Sequence, residues 1–299
     1  MSTSRQCPTC GATVELPPER LADRCAFCET ALVDATGSDA DAIQHVVPFH
    51  LTREQAGRRM RGFLQGQWWA PEAVRQGARP EKLHGVLVPF YVYDGVARSS
   101  YTGDVGVWWY RTETHVVNGK VRTRRVRETE WFDVSGTHAA TYTRQLVSGS
   151  RGLPEGEANA LEPFDLGKAL PFAPALTAGW IAERASVDHT EAGRIVANEV
   201  AERENRQIRD GFLPGDESRN VRNTTELEIS EVELALLPVW IATYGHAGKV
   251  FRLLVNGQTG ETIGKVPRSA WKVGCAVFVA LAAVGFVVLA ALVVAAVTR

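Results

Sequence analysis

Apolar residues in this chain follow two different periods. Ala56, Met60, Phe63 and Leu64 recur at helical spacing behind Thr52 and Gln55, a pair that reads as a capping box. Asp188 and Glu191 open a second helical pattern over 189–210, and a further helix is expected over 175–186. Between these, Gly85–Asp94 and Leu234–Tyr244 are apolar runs of strand length. Each run carries a proline near its start, a position that suits strand starts and sheet edges. Val105–Val117 and Val121–Val134 flank Asn118-Gly119, a strong hairpin turn. Val250–Val255 and Thr262–Val266 flank a second turn over 256–260. The pattern predicts an α+β fold with mostly antiparallel sheet.

The middle of the chain repeats itself. Val47-Pro48-Phe49 opens one stretch and Leu170-Pro171-Phe172 another, and each leads through helical material to a proline-bearing strand. This predicts a duplicated α+β body with antiparallel hairpins, its halves at 45–147 and 161–267. Small, polar or glycine-rich stretches at 34–44 and 148–160 read as linkers.

Val273–Val297 is an uncharged run of 25 residues. At about 1.5 Å per residue it is long enough for a hydrocarbon core of about 30 Å. Trp271 lies where an interfacial aromatic belongs, and Lys265, Arg268 and Lys272 outnumber Arg299 across the run. The expectation is a C-terminal transmembrane helix over 271–298. It implies a tail-anchored, single-pass protein of the cytoplasmic (inner) membrane with residues 1–270 on the cytoplasmic side.

Composition narrows the function. A formal net charge of −1 argues against general nucleic-acid binding, which favours a basic surface. Hydrophobic residues make up 45% and charged residues 22%, the balance of a folded protein. The N-terminus has no apolar core and reads as having no signal peptide.

Four of the five cysteines form C-x2-C-x14-C-x2-C: Cys7, Cys10, Cys25 and Cys28. Each C-x2-C turn offers two sulfurs to one metal, and two turns complete a tetrahedron. Gly11 after the first turn tolerates positive φ, whereas Glu29 follows the second. The pattern predicts an N-terminal zinc ribbon over 1–33 holding one structural Zn2+. Four thiolates leave no open position for water, so the centre is expected to be non-catalytic.

Motifs for catalysis are missing. Gly260-Glu-Thr-Ile-Gly264-Lys265-Val266 is one residue too short for a phosphate cradle and lacks the following Ser or Thr. No H-E-x2-H occurs, and no G-x-S-x-G nucleophile turn. The expectation is that the chain is not an enzyme.

One basic segment stands out. Lys120, Arg122, Arg124, Arg125 and Arg127 lie on a hairpin strand, with Trp108, Trp109 and Tyr110 upstream. Basic residues beside aromatics suit anionic lipid or single-stranded nucleic acid. The alternative is a solvated hairpin whose charges discourage edge pairing.

The cysteine quartet, Pro89–Asp94, Tyr101–Gly103, Leu161–Leu166, Leu237–Trp240, Val255–Gly260 and the terminal apolar run occur in this order. Together they resemble a bacterial family of zinc-ribbon proteins with a C-terminal membrane anchor, often labelled primosomal protein N′ or superfamily II helicase. The resemblance implies architecture, and a loose link to envelope stress, more than mechanism. The resulting expectation is a non-catalytic, membrane-anchored adaptor or scaffold that recruits proteins at the cytoplasmic face. The alternative is a membrane-tethered nucleic-acid binder using the ribbon and the basic hairpin.

Overall fold

The computed structural model describes residues 3–7, 9–16, 20–25, 30–33, 43–75, 83–117, 120–269, 271–272, 274–276 and 281–285. Cys28 and most of the 34–44 linker lie outside the described residues. The N-terminal segment carries β1 (Thr3–Gln6), β2 (Thr13–Leu16), β3 (Arg20–Arg24) and β4 (Ala31–Val33). Next come β5 (Ile43–Val46), α1 (Arg53–Gly66), α2 (Glu72–Arg75), β6 (Leu83–Val117) and β7 (Lys120–Ser148). The remainder holds α3 (Glu155–Leu161), β8 (Leu170–Pro171), β9 (Ile181–Glu183), α4 (His189–Gln207), β10 (Glu217–His246), β11 (Lys249–Asn256) and β12 (Thr262–Gly264). The α+β expectation therefore holds.

The strands run much further than the apolar segments that announce them. β6 continues from its apolar start straight into the first hairpin, pairing with β7 from Phe90↔Ser148 out to Val117↔Lys120. Beyond the core both strands alternate charged, aromatic and small residues. Hydrophobicity marks only the buried stretch, while backbone pairing continues into solvent. The large sheet has the order β12-β11-β10-β6-β9-β3-β4, with β7 on β6, β5 on β10 and β8 on β5.

The chain divides into two compact units, each built from separate segments. One comprises Met1–Val88, Leu153–Arg184 and Leu236–Arg299; the other comprises Pro89–Gly152 and Ala185–Ala235. In the first, Ala56, Met60 and Leu64 of α1 pack with Val74, Leu83, Trp240, Ala242, Leu253 and Val255. Each large apolar side chain buried there contributes about 1.5–3 kcal/mol. Both sides of the capping box form: Thr52 Oγ1 accepts from Gln55 N, and Gln55 Oε1 accepts from Thr52 N at 2.8 Å. In the second unit, α4 buries Ala192, Val196, Val200 and Glu204, a stripe at intervals of four residues. Asp188 caps this helix by accepting from Glu191 N at 2.8 Å.

Matched hydrogen bonds reveal the repeat. Gly149 N donates to Pro89 O and Gly257 N to Pro238 O, both at 2.8 Å. The Gly149 carbonyl accepts from Ser186 N and Val187 N, the two residues before the α4 cap. The Gly257 carbonyl accepts from His50 N and Leu51 N, the two residues before the α1 cap. Short strands precede both helices, β9 pairing in parallel with β6 and β5 pairing with β10. Each repeat is thus β-α-β-β, and each helix docks on the hairpin of the other repeat. This exchange explains why both units draw on distant segments.

Two expectations are corrected here. Leu170-Pro171-Phe172 is not the counterpart of Val47-Pro48-Phe49. The first segment pairs antiparallel beside the second, with Val46↔Leu170 and Phe172 N donating to Gln44 O at 2.8 Å. The helix expected over 175–186 does not form. Pro174–Thr177 is a single 3-10 turn, Gly179 takes φ +87°, and Ile181–Glu183 is extended as β9. The left-handed glycine ends the turn, and pairing with β6 outweighs local helix propensity.

The C-terminal expectation is also corrected. Among the described residues no helix is long and apolar enough to cross a membrane. Helical residues are described at 271–272, 274–276 and 281–285, and the rest of 273–298 lies outside the described residues. The start of this segment is tied to the α1–α2 connection instead. Ser269 N donates to Trp69 O at 2.7 Å, and Lys272 Nζ donates to Trp68 O and Ala70 O at 2.8 and 2.9 Å. The transmembrane helix, the tail-anchored topology, the inner-membrane placement with residues 1–270 cytoplasmic and the membrane as partner are therefore withdrawn.

Candidate functional site

Both described ends of the ribbon are hairpins with a cysteine turn between their strands. β1 pairs with β2 around the turn that starts at Cys7, and β3 pairs with β4 around the turn that starts at Cys25. The turns close in the same way. Cys7 N donates to Ala12 O and Cys25 N to Thr30 O, each at 2.8 Å and each five residues ahead. Gly11 takes φ +71° and donates to Cys7 O at 2.9 Å, so the first turn uses the freedom that glycine has there. Cys7 and Cys25 are buried beside Leu32 and Val14, and Cys10 is exposed.

The Sγ atoms of Cys7, Cys10 and Cys25 all lie within 4.8 Å of one another. Cys10 Sγ and Cys25 Sγ are 3.8 Å apart, although 15 residues separate them. A disulfide needs about 2.05 Å. Four thiolates around zinc, at about 2.3 Å each, place neighbouring sulfurs about 3.8 Å apart. The observed spacing fits a shared metal ion and not a covalent bridge. The three-cysteine cluster is thus a site that could coordinate a metal. Cys28 lies outside the described residues.

The ribbon joins the sheet of its own unit. β3 pairs antiparallel with β9, matching Arg20↔Glu183 and Ala22↔Ala182. Leu21 and Ala22 are fully buried. Arg24, next to Cys25, donates from Nε and Nη2 to Gly179 O at 3.1 and 2.9 Å. A metal at the cysteines would therefore brace the end of a sheet strand.

The basic hairpin is split by its own geometry. Strand alternation sends Arg122 and Arg124 to one face and Arg125 and Arg127 to the other. Arg127 sits over the Trp108 ring at 4.2 Å and Arg125 over the Tyr110 ring at 5.1 Å. On the opposite face Arg111 pairs with Glu113 and Glu128 at 2.7 and 2.8 Å. Arg125 and Arg127 thus stack on aromatics within the hairpin. Lys120 pairs with Val117 at the tip.

A polar cluster that sequence reading missed lies in the second unit. Glu204 is fully buried at the last place of the α4 stripe. Its carboxylate accepts from Tyr142 Oη and Ser99 Oγ at 2.7 and 2.9 Å and lies 2.7 Å from His138 Nδ1. Burial opposes its ionisation. The hydrogen bonds from Tyr142, His138 and Ser99 outweigh that effect and hold the carboxyl below its ordinary range. Burial, with help from Glu204, pushes the Tyr142 phenol up to about 12. The Phe212 ring lies against His138 at a centroid distance of 4.4 Å. The available signal was a glutamate on the i, i+4 stripe of Ala192, Val196 and Val200.

Comparison with known proteins adds little chemistry. The chain is 27% identical over 230 residues to the uncharacterized protein YdjG of Bacillus subtilis (strain 168), covering 76% of this chain and 64% of that protein. The chain thus spans less than two thirds of that relative's length. No family model matches the chain, and no solved structure matches it. The resemblance to membrane-anchored zinc-ribbon proteins with a helicase label is corrected accordingly. The membrane-anchored adaptor and the membrane-tethered nucleic-acid binder are corrected with it, since no helix among the described residues is long and apolar enough to cross a membrane.

Proposed function

We propose that this protein is a non-catalytic zinc-ribbon protein whose metal is structural. Cys7, Cys10, Cys25 and Cys28 would hold one Zn2+. The observation that carries this reading is the 3.8 Å approach of Cys10 and Cys25, with Cys7 N and Cys25 N each donating to the carbonyl five residues ahead. When bound, an all-thiolate zinc supplies cross-linking of the two hairpins and no open position for substrate. The residues around it act mechanically. Arg24 anchors the second turn to Gly179, and Leu21 and Ala22 fix β3 in the core.

Metal analysis of the full chain tests the proposal. One zinc per chain is expected, and cobalt substitution should give the absorption of a tetrahedral thiolate site. Cys7→Ser or Cys28→Ser should each abolish that spectrum. A metal-free preparation that is folded at residues 3–33, or a Cys10–Cys25 disulfide found by mass spectrometry, overturns it.

A further inference from the structure

The two repeats hold equivalent places between the start of a helix and the turn that follows a hairpin. In one repeat an ion pair bridges this place. Arg151 Nη2 pairs with Glu191 Oε2 at 2.6 Å, and Arg151 Nε donates to Ser186 O at 3.1 Å. Arg151 is the second residue after Gly149, and Glu191 is the third after the Asp188 cap.

In the other repeat the same positions are neutral. The second residue after Gly257 is Thr259, and the third after the Thr52 cap is Gln55. Among the described residues no ion pair spans the gap, and a groove of about 760 Å³ lies open there. Arg58 and Arg59 line it, facing Gln258, Thr259, Gly260 and Thr262. Among the described residues neither arginine has a carboxylate within ion-pair distance. Glu261 is the acidic group in the lining, so two guanidinium groups face one carboxylate. Glu54, on the same helix, lies in the field of Arg58.

The wall opposite the arginines is held rigidly. Asn256 is fully buried, donates from Nδ2 to Leu161 O and Pro163 O at 2.8 and 3.0 Å, and accepts from Gln258 N and Thr259 N at 2.8 and 3.1 Å. Gln258 locks to both backbone groups of Asp165. Gly260 takes φ +81°, and a Cβ there would lie 2.9 Å from Arg59 Nε. The N–H groups of 258–261 are used inside the turn. Recognition therefore falls to the arginine side chains and the neighbouring amide and hydroxyl groups. Guanidinium forks match carboxylate and phosphate oxygens in pairs.

We infer that this groove binds a small oxyanion-bearing ligand whose phosphate or carboxylate pairs with Arg58 and Arg59. The inference does not depend on the metal centre, and its test leaves the cysteines untouched.

The full chain should be titrated calorimetrically with pyrophosphate and with citrate at low salt. Saturable binding is expected, weakened about tenfold or more by the R58Q/R59Q pair. Gln55→Glu should weaken it similarly by supplying the internal carboxylate, while keeping the helix cap, since Glu serves a capping box as well as Gln. In the unaltered protein, pyrophosphate or citrate should protect Arg58 and Arg59 from an arginine-selective dicarbonyl, read by mass spectrometry. Preference for pyrophosphate assigns a phosphate ligand, and preference for citrate a carboxylate. No saturable binding of either probe overturns the inference. So does binding indifferent to both variants, or binding without protection of Arg58 and Arg59.

Discussion

Gly149 and Gly257 hold equivalent places in the two repeats, each donating to a proline carbonyl and each receiving two N–H groups from the residues before a helix cap. Their surroundings differ in tightness. A Cβ on Gly257 would meet Phe49 Cδ1 and Pro238 Cβ at 2.7 Å, while one on Gly149 would lie 3.0 Å from Pro89 O. Gly257→Ala should destabilise the protein by about 1–3 kcal/mol through overpacking. Gly149→Ala should cost less. Urea denaturation of the two variants gives the comparison, and equal losses would contradict it.

Glu204 should make stability depend on acid. Its folded-state pKa is depressed, so its contribution is fully present above the ordinary carboxyl value of 4.5 and is lost as pH falls through the folded value. Glu204→Gln should flatten the acid limb of a stability–pH profile. Glu204→Leu should cost at least about 2 kcal/mol at neutral pH, because Tyr142, Ser99 and His138 lose their shared acceptor. Thermal melts from pH 3 to 8 would show both effects. An unchanged acid limb in Glu204→Gln would rule out this assignment.

Asn256 makes four side-chain hydrogen bonds, two to Leu161 O and Pro163 O at the end of α3 and two from Gln258 N and Thr259 N inside the 256–261 turn. Asn256→Ala leaves buried N–H and carbonyl groups without partners and should cost at least about 2 kcal/mol. Anion binding in the groove should weaken in parallel, since the rigid wall is lost. Denaturant titration reads the first effect, and calorimetry with pyrophosphate reads the second.

Metal removal should loosen more than the ribbon. β3 runs directly into Cys25 and pairs with β9, so chelation should raise amide hydrogen exchange at 20–24 and also at 181–183. Exchange that rises only at the cysteine turns would show that β3 holds its place without metal.

The sequence by itself determined the helix starts, the strand cores and the spacing of the cysteines. These are local matters. Thr52 and Gln55 cap across three residues, the stripe of Ala56, Met60 and Leu64 follows helical period, and a C-x2-C turn positions its own sulfurs. Tertiary structure decided the rest. It brought Cys10 to Cys25, exchanged α1 and α4 between repeats, and turned 181–183 into a strand against its helical pattern. It also placed Glu204 under Tyr142 and His138, and split the basic hairpin between two faces. A long apolar run predicted a membrane span, and no described helix supplies one. Hydrophobicity records that a segment avoids water, but what it packs against is fixed by groups far away in sequence. For the same reason the groove beside Arg58 and Arg59 exists only in the folded chain, where the start of α1 meets the 258–262 turn.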